Sequence, residues 1–174
     1  MIIAAGICQI TDKISSKQYK LRNKRSQKIV DDYMTSVFWA RDMIHYYCTQ
    51  REIGEPLVSF ATQTGANLKK LNAMKKKHPD QSKLNNIIYE LNKCVTYVNK
   101  RAKVPTVWLS KFTHHYHSTT RRYHSGYQKL EDGLHPGDDL AKSWAGEINR
   151  ICRLTYNLGK KEEKQSLKIT IDRD

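Results

Sequence analysis

Residues 1–8, Met1-Ile2-Ile3-Ala4-Ala5-Gly6-Ile7-Cys8, form an almost unbroken apolar run with no alternation of polar and apolar positions. A strand with one wet face alternates with a period of two. A short continuous run suits a strand covered on both faces, as in a parallel sheet. Two more such runs follow, Leu57-Val58-Ser59-Phe60-Ala61 and Val104-Pro105-Thr106-Val107-Trp108-Leu109, the latter with its proline at the start, where a strand tolerates one.

Helical patterns separate them. From Ile29 to Cys48 the apolar positions Ile29, Tyr33, Val37, Ala40, Ile44, Tyr47 and Cys48 keep helical spacing, with Ser26 as the expected N-cap. Gly54-Glu55-Pro56 marks the stop. Leu84, Ile87, Ile88, Leu91, Cys94, Val95 and Val98 give the cleanest stripe, capped by Asp80 or Ser82. Leu140, Trp144, Ile148, Ile151 and Cys152 define a last helix over about residues 138–156. The region Lys69–Lys77 reads as a connection with one helical turn, and 111–129 as a polar loop rich in His, Tyr and Arg. Strand–helix alternation predicts an α/β fold, a three-layer parallel sheet with right-handed crossovers. One domain is expected over 1–158, with a charged tail over 159–174 in which Leu167-Lys168-Ile169-Thr170-Ile171 reads as an edge strand or a disordered end. Trp39, Trp108 and Trp144 fall on predicted core faces.

The chain has 174 residues, 31 Lys+Arg against 17 Asp+Glu, and a net charge of +14. Mean hydropathy is −0.73, polar for a globular domain, yet three Trp, ten Tyr and phased aliphatic runs suffice for a core. No stretch approaches the roughly 18 uninterrupted apolar residues of a membrane span. The apolar N-terminus lacks the basic lead of a signal peptide. Cys8, Cys48, Cys94 and Cys152 form no CxxC pair, so a zinc ribbon is not expected and the thiols read as reduced. An intracellular setting, cytoplasmic or nuclear, follows.

The segment with chemistry is Leu130-Glu131-Asp132-Gly133-Leu134-His135-Pro136-Gly137-Asp138-Asp139, just ahead of the last helix. Two residues between Asp132 and His135 let one tight turn bring both side chains to the same side. This Asp-x-x-His-Pro ending resembles the closing signature of the SGNH/GDSL esterase family. The resemblance implies that Asp132 orients His135 and that His135 is the general base for a serine nucleophile. Upstream, the helix over 84–98, the strand after Ala102-Lys103-Val104-Pro105 and the loop to Asp132 follow the family's layout. Gly6-Ile7-Cys8-Gln9 falls where the family carries Gly-x-Asn-Asp, which makes Gly6 and Cys8 the oxyanion positions. The ending also resembles SGNH-like domains of invertebrate retroelement polyproteins.

The chain departs from that pattern. The family's Gly-Asp-Ser nucleophile precedes the Gly-x-Asn strand, and here residue 1 already lies on the latter. Cys8 stands where the oxyanion Asn would be, and a thiol is a poor donor. The expectation is therefore an SGNH-like domain incomplete at its N-terminus, inactive as an esterase without an upstream segment of a longer polypeptide. No cofactor is expected.

His114, His115, His117 and His124 form a second cluster, but in a polar loop with Ser, Thr and Arg they read as solvated, and no metal is expected. Thr62-Gln63-Thr64-Gly65-Ala66-Asn67 reads as a plain loop. Lys24 and Arg25, the run Lys75, Lys76 and Lys77, and Arg121-Arg122-Tyr123 mix cations with a stackable ring, as single-strand binders do. The alternative function is thus a basic, non-catalytic nucleic-acid-binding protein of a mobile element or virus.

Overall fold

A computed structural model of the chain describes residues 2–3, 23–73, 81–117 and 122–171. In chain order these form β1 (Ile2–Ile3), α1 (Asn23–Gln50), β2 (Ser59–Phe60), α2 (Leu68–Ala73), α3 (Gln81–Arg101), a 3-10 turn at Leu109–Phe112, β3 (His114–His117), β4 (Arg122–Ser125), a second 3-10 turn at Tyr127–Lys129 and α4 (Asp138–Ile171).

The architecture is mainly helical, which corrects the expected three-layer parallel sheet. Helices of 28, 21 and 34 residues face strands of two and four. The parallel contacts are short. β1 pairs with β2 through Ile2↔Ser59 and Ile3↔Phe60, and Ala61 bridges to Val107. Beyond Val107 the third expected strand tightens into the Leu109–Phe112 turn. Side chains of α3 take up much of the main chain that a wider sheet would pair. Asn99 accepts from the Phe60 N–H at 3.0 Å and donates to the Phe60 carbonyl at 2.8 Å. Asn92, two turns earlier, does the same to Gln63 at 2.7 and 3.0 Å.

The main core lies where α1 and α3 pack over β2 and α2. It buries Ile29, Val30, Tyr33 and Val37 with Phe60, Leu71, Leu84, Ile87, Ile88, Leu91 and Val95. The phased stripe of α3 explains its position: Leu84, Ile88, Leu91 and Val95 recur every three or four residues and are fully enclosed. Truncating one of them to alanine costs about 2–5 kcal/mol. Trp144 joins two smaller clusters, one with Ala61, Val107, Leu109 and Ile151, the other with Tyr127, Leu130 and Leu140.

α1 and α3 end alike. Ile53 N–H reaches the Cys48 carbonyl and Glu52 N–H that of Thr49; Val104 and Lys103 repeat the pattern on Asn99 and Lys100. Glu52 and Lys103 take the positive φ this cap needs, at 52° and 54°. The stop of α1 is therefore Glu52, ahead of the expected Gly54-Glu55-Pro56. Ser26 lies inside α1, which starts at Asn23, and so is not its N-cap.

Three further expectations change. Trp39 is 67% exposed and Trp108 40%, so neither is a core residue. The expected polar loop contains a hairpin, β3 with β4, in which His115 pairs with His124 and His117 with Arg122. Helix α4 continues to Ile171, through residues 159–171 of the expected tail. Its Lys-, Glu- and Gln-rich sequence has good helix propensity, and polarity alone does not end a helix. Glu147 ties α4 to the middle of the chain: it receives Lys111 at 2.7 Å, Arg150 twice at 2.9 Å and the Trp108 N–H at 3.2 Å. No helix among the described residues is long and apolar enough to cross a membrane.

Candidate functional site

The turn at 130–137 is closed by main-chain bonds. Leu130 bridges to Pro136, Glu131 N–H donates to the His135 carbonyl at 2.8 Å, and Gly137 N–H donates to that of Lys129 at 3.0 Å. Asp132 sits at its tip. One carboxylate oxygen, Oδ1, accepts the N–H groups of Leu134 and His135 at 2.9 and 2.8 Å. This is the local bonding that makes Asp a turn residue. The other, Oδ2, lies 2.6 Å from His135 Nδ1.

These bonds keep the carboxylate ionised and aim it at the ring. The His135 N–H, then its imidazole and the Leu134 N–H, hold the Asp132 carboxyl well below the usual carboxylate range. An ionised carboxylate only accepts, so Nδ1 carries the proton between them and Nε2 of a neutral imidazole is left with its lone pair. The His135 side chain is 71% exposed, and among the described residues no hydrogen bond occupies Nε2. The pair can therefore accept a proton from a group brought to it from outside.

A second segment presses on the turn. Asn67 N–H donates to the Gly133 carbonyl at 2.8 Å. Gly133 has φ +94°, and a Cβ there would stand 2.8 Å from the Asn67 carbonyl oxygen. Lys70 N–H donates to Asn67 Oδ1, which makes Asn67 the N-cap of α2. The Lys70 ammonium donates to three carbonyls ahead of Asp132, those of Gln128, Leu130 and Glu131. The loop that feeds Asn67 is enclosed: Thr62, Gln63, Thr64 and Ala66 are buried, and Gly65, at φ +81°, lies against the Tyr127 ring. It is a loop, as expected, but an enclosed one. Sequence reasoning missed Asn67 and Lys70 as parts of the site. The legible signal was Asn67, an N-cap residue type after Gly65 and ahead of the expected helical turn; nothing local marked Lys70.

The structure brings Asp132 and His135 together as their spacing implied. Gly6 and Cys8, Lys75, Lys76 and Lys77, and Arg121 lie outside the described residues. Lys24 and Arg25 are on the first turn of α1, and Arg122 and Tyr123 on β4 opposite His117 and Tyr116, as backbone positions. Thr62 and Ser110, the hydroxyls near the strand ends, are buried in the joint at Val107: Thr62 Oγ1 donates to its carbonyl and receives the Ser110 N–H. Among the residues whose side chains are described, no three His, Cys, Asp or Glu gather as metal ligands. No family model matches the chain, and no curated protein or solved structure matches it.

Proposed function

We propose that this chain is an SGNH-hydrolase-like module of the esterase type, in which Asp132 orients His135 as the general base. The observation that carries the reading is the 2.6 Å contact from His135 Nδ1 to an Asp132 carboxylate held ionised by two main-chain N–H groups. In ester hydrolysis Nε2 would take the proton of a serine hydroxyl as its oxygen attacks the ester carbonyl. It would then return that proton to the departing alkoxide. Asp132 stabilises the imidazolium between these steps. The reading rests on this turn and its supports, not on a sheet.

Base and orienter are on this chain. The nucleophile and oxyanion donors of the resemblance belong to a Gly-Asp-Ser segment and a Gly-x-Asn strand, and Gly6 and Cys8 occupy the latter's positions in sequence. Three free thiols among the described residues, Cys48, Cys94 and Cys152, favour a reducing, intracellular setting.

The test is the coding sequence 5′ of Met1. A Gly-Asp-Ser segment is expected there, and the longer product should hydrolyse p-nitrophenyl acetate with a kcat that falls about 10²–10⁴-fold on His135→Ala. The chain from Met1 alone should match its own His135→Ala variant. No such segment, or turnover indifferent to His135, overturns the reading.

A second reading, a nucleic-acid-binding surface, is favoured by one observation, the net charge of +14 on 174 residues.

A further inference from the structure

Three main-chain carbonyls ahead of the Asp132–His135 turn converge on one side chain. Lys70 Nζ lies 3.2 Å from the Gln128 oxygen, 2.5 Å from that of Leu130 and 3.2 Å from that of Glu131. An ammonium carries three donors and no acceptor, so the three oxygens use its full capacity. Bonds from a charged donor are also stronger than neutral ones. Neighbouring Lys69 is exposed, without a comparable set of partners among the described residues.

The geometry ties this clamp to the pair. The Glu131 carbonyl belongs to the peptide that enters Asp132, so fixing its plane restricts the rotation that aims the Asp132 side chain. At its other end, Lys70 Cβ lies 3.1 Å from where a Cβ on Gly133 would be. Lys70 therefore runs beneath the turn from Gly133 to Leu130. Its own N–H is held by Asn67, whose N–H holds Gly133. His135, by contrast, is 71% exposed and has little packing of its own to fix its ring.

We infer that Lys70 is a positioning residue for the Asp132–His135 pair: its ammonium, caged by the carbonyls of 128, 130 and 131, sets the peptide from which Asp132 reaches His135. The inference rests on the proposed base role of His135. Removing the ammonium leaves three acceptors to be hydrated, the peptide before Asp132 relaxes, and the carboxylate loses its aim at Nδ1.

The readout is the tautomer of neutral His135, from side-chain ¹⁵N shifts of the folded chain. A carboxylate at Nδ1 enforces the Nδ1–H form. Wild type should show mainly Nδ1–H, and Asp132→Asn should lose that preference. Lys70→Met should lower the Nδ1–H to Nε2–H ratio by about fivefold or more. Lys70→Arg should restore it, and Lys69→Met, with the same change in net charge, should leave it unmoved. If Lys70→Met does not fold, Lys70→Gln, whose amide nitrogen sits one atom short of Nζ but keeps two donors, should give a smaller fall in the same direction. A wild-type ratio in Lys70→Met or Lys70→Gln, or an equal fall in Lys69→Met, overturns the inference. A wild-type chain as Nε2–H as Asp132→Asn overturns the pair together with the role of Lys70. An Nδ1–H chain that responds to Lys70, in a longer product without ester turnover, sinks the hydrolase reading and leaves Lys70 in place.

Discussion

The side-chain amide of Asn99 holds the main chain of Phe60 at both its N–H and its carbonyl, at 3.0 and 2.8 Å, from a helix 39 residues further along. Asn99 is fully buried, and its amide nitrogen also reaches Thr106 Oγ1 at 3.1 Å. One side chain thus does for β2 what a neighbouring strand would do. Its own carbonyl meanwhile receives Val104 N–H at the end of α3.

Asn99→Ala should destabilise the fold by about 2–4 kcal/mol, because a buried donor and a buried acceptor each lose their partner. Asn99→Asp should cost at least as much, since it removes the donor and buries a charge. Urea denaturation measures both. A loss below about 0.5 kcal/mol, typical of a surface substitution, would contradict this account.

Gly133→Ala should cost about 1–3 kcal/mol, from a positive φ that alanine rarely adopts together with a Cβ pressed on the Asn67 carbonyl. Gly54, with nothing within 4 Å of its would-be Cβ, is the control. Gly54→Ala should leave the melting temperature nearly unchanged.

Acid should act through Glu147. Bonding to Arg150, and then to Lys111 and the Trp108 N–H, pulls its carboxyl from near 4.5 down to about 2 against the opposing effect of burial. A carboxyl depressed in the native state stabilises fully above its unfolded pKa, and the contribution fades as pH falls from about 4.5 towards 2. Glu147→Gln should therefore lower stability at neutral pH and narrow its gap to wild type across that window. Glu147→Leu, which leaves Trp108 N–H without an acceptor, should cost roughly 1–3 kcal/mol at pH 7. A gap that widens on acidification would refute the assignment.

Asp132 follows the same sign. Its carboxyl should stay ionised below the usual carboxylate range and keep the turn closed there, as ¹³C titration of its side chain would show. Replacing the His135 ring by Ala should raise the Asp132 pKa only in part, because the first cause of its depression is the main-chain N–H of residue 135. Full return to an ordinary Asp value would show the ring to be the dominant partner.

If the basic surface holds nucleic acid, binding should be independent of sequence and steep in salt. With roughly five phosphates engaged, affinity for duplex DNA should fall about three orders of magnitude between 50 and 200 mM salt. Replacing Lys75, Lys76 and Lys77 by Gln should flatten the log–log slope by up to about three contacts' worth. No binding at 50 mM salt removes this reading.

The helices were legible because apolar spacing encodes a face directly: Ile29, Tyr33 and Val37, then Leu84, Ile87, Ile88, Leu91 and Val95, are buried as their spacing implied. In the last helix Leu140 and Ile151 are buried, but Ile148 and Cys152 of the same expected stripe are exposed. Asp132 and His135 were legible because a turn needs only local sequence. The sheet was not. Leu57–Ala61 is apolar for burial, as a core strand would be, yet asparagines on α3 engage its Phe60 and the following Gln63, and no local period reports a partner so far along the chain. The stripe of α1 continues in sequence to Ala40, Ile44, Tyr47 and Cys48, of which the structure leaves Tyr47 exposed and the others half-buried. The pairing of β3 with β4 was hidden by composition, since His-His-Tyr-His and Arg-Tyr-His-Ser give no polar–apolar alternation. Lys70 was read as part of a basic connection, although its charge faces main-chain oxygens.

The close fit of Gly133 against Asn67 has a consequence for genetics. If the Asp132–His135 pair is the proposed base, a saturation scan of an active longer product scored by catalytic output would rank position 133 beside 132 and 135, and a reader of that map would count three functional residues. Scored by folded abundance, the map should separate them. Substitutions at 133 would deplete the protein itself, while those at the exposed imidazole of 135 would leave its amount untouched.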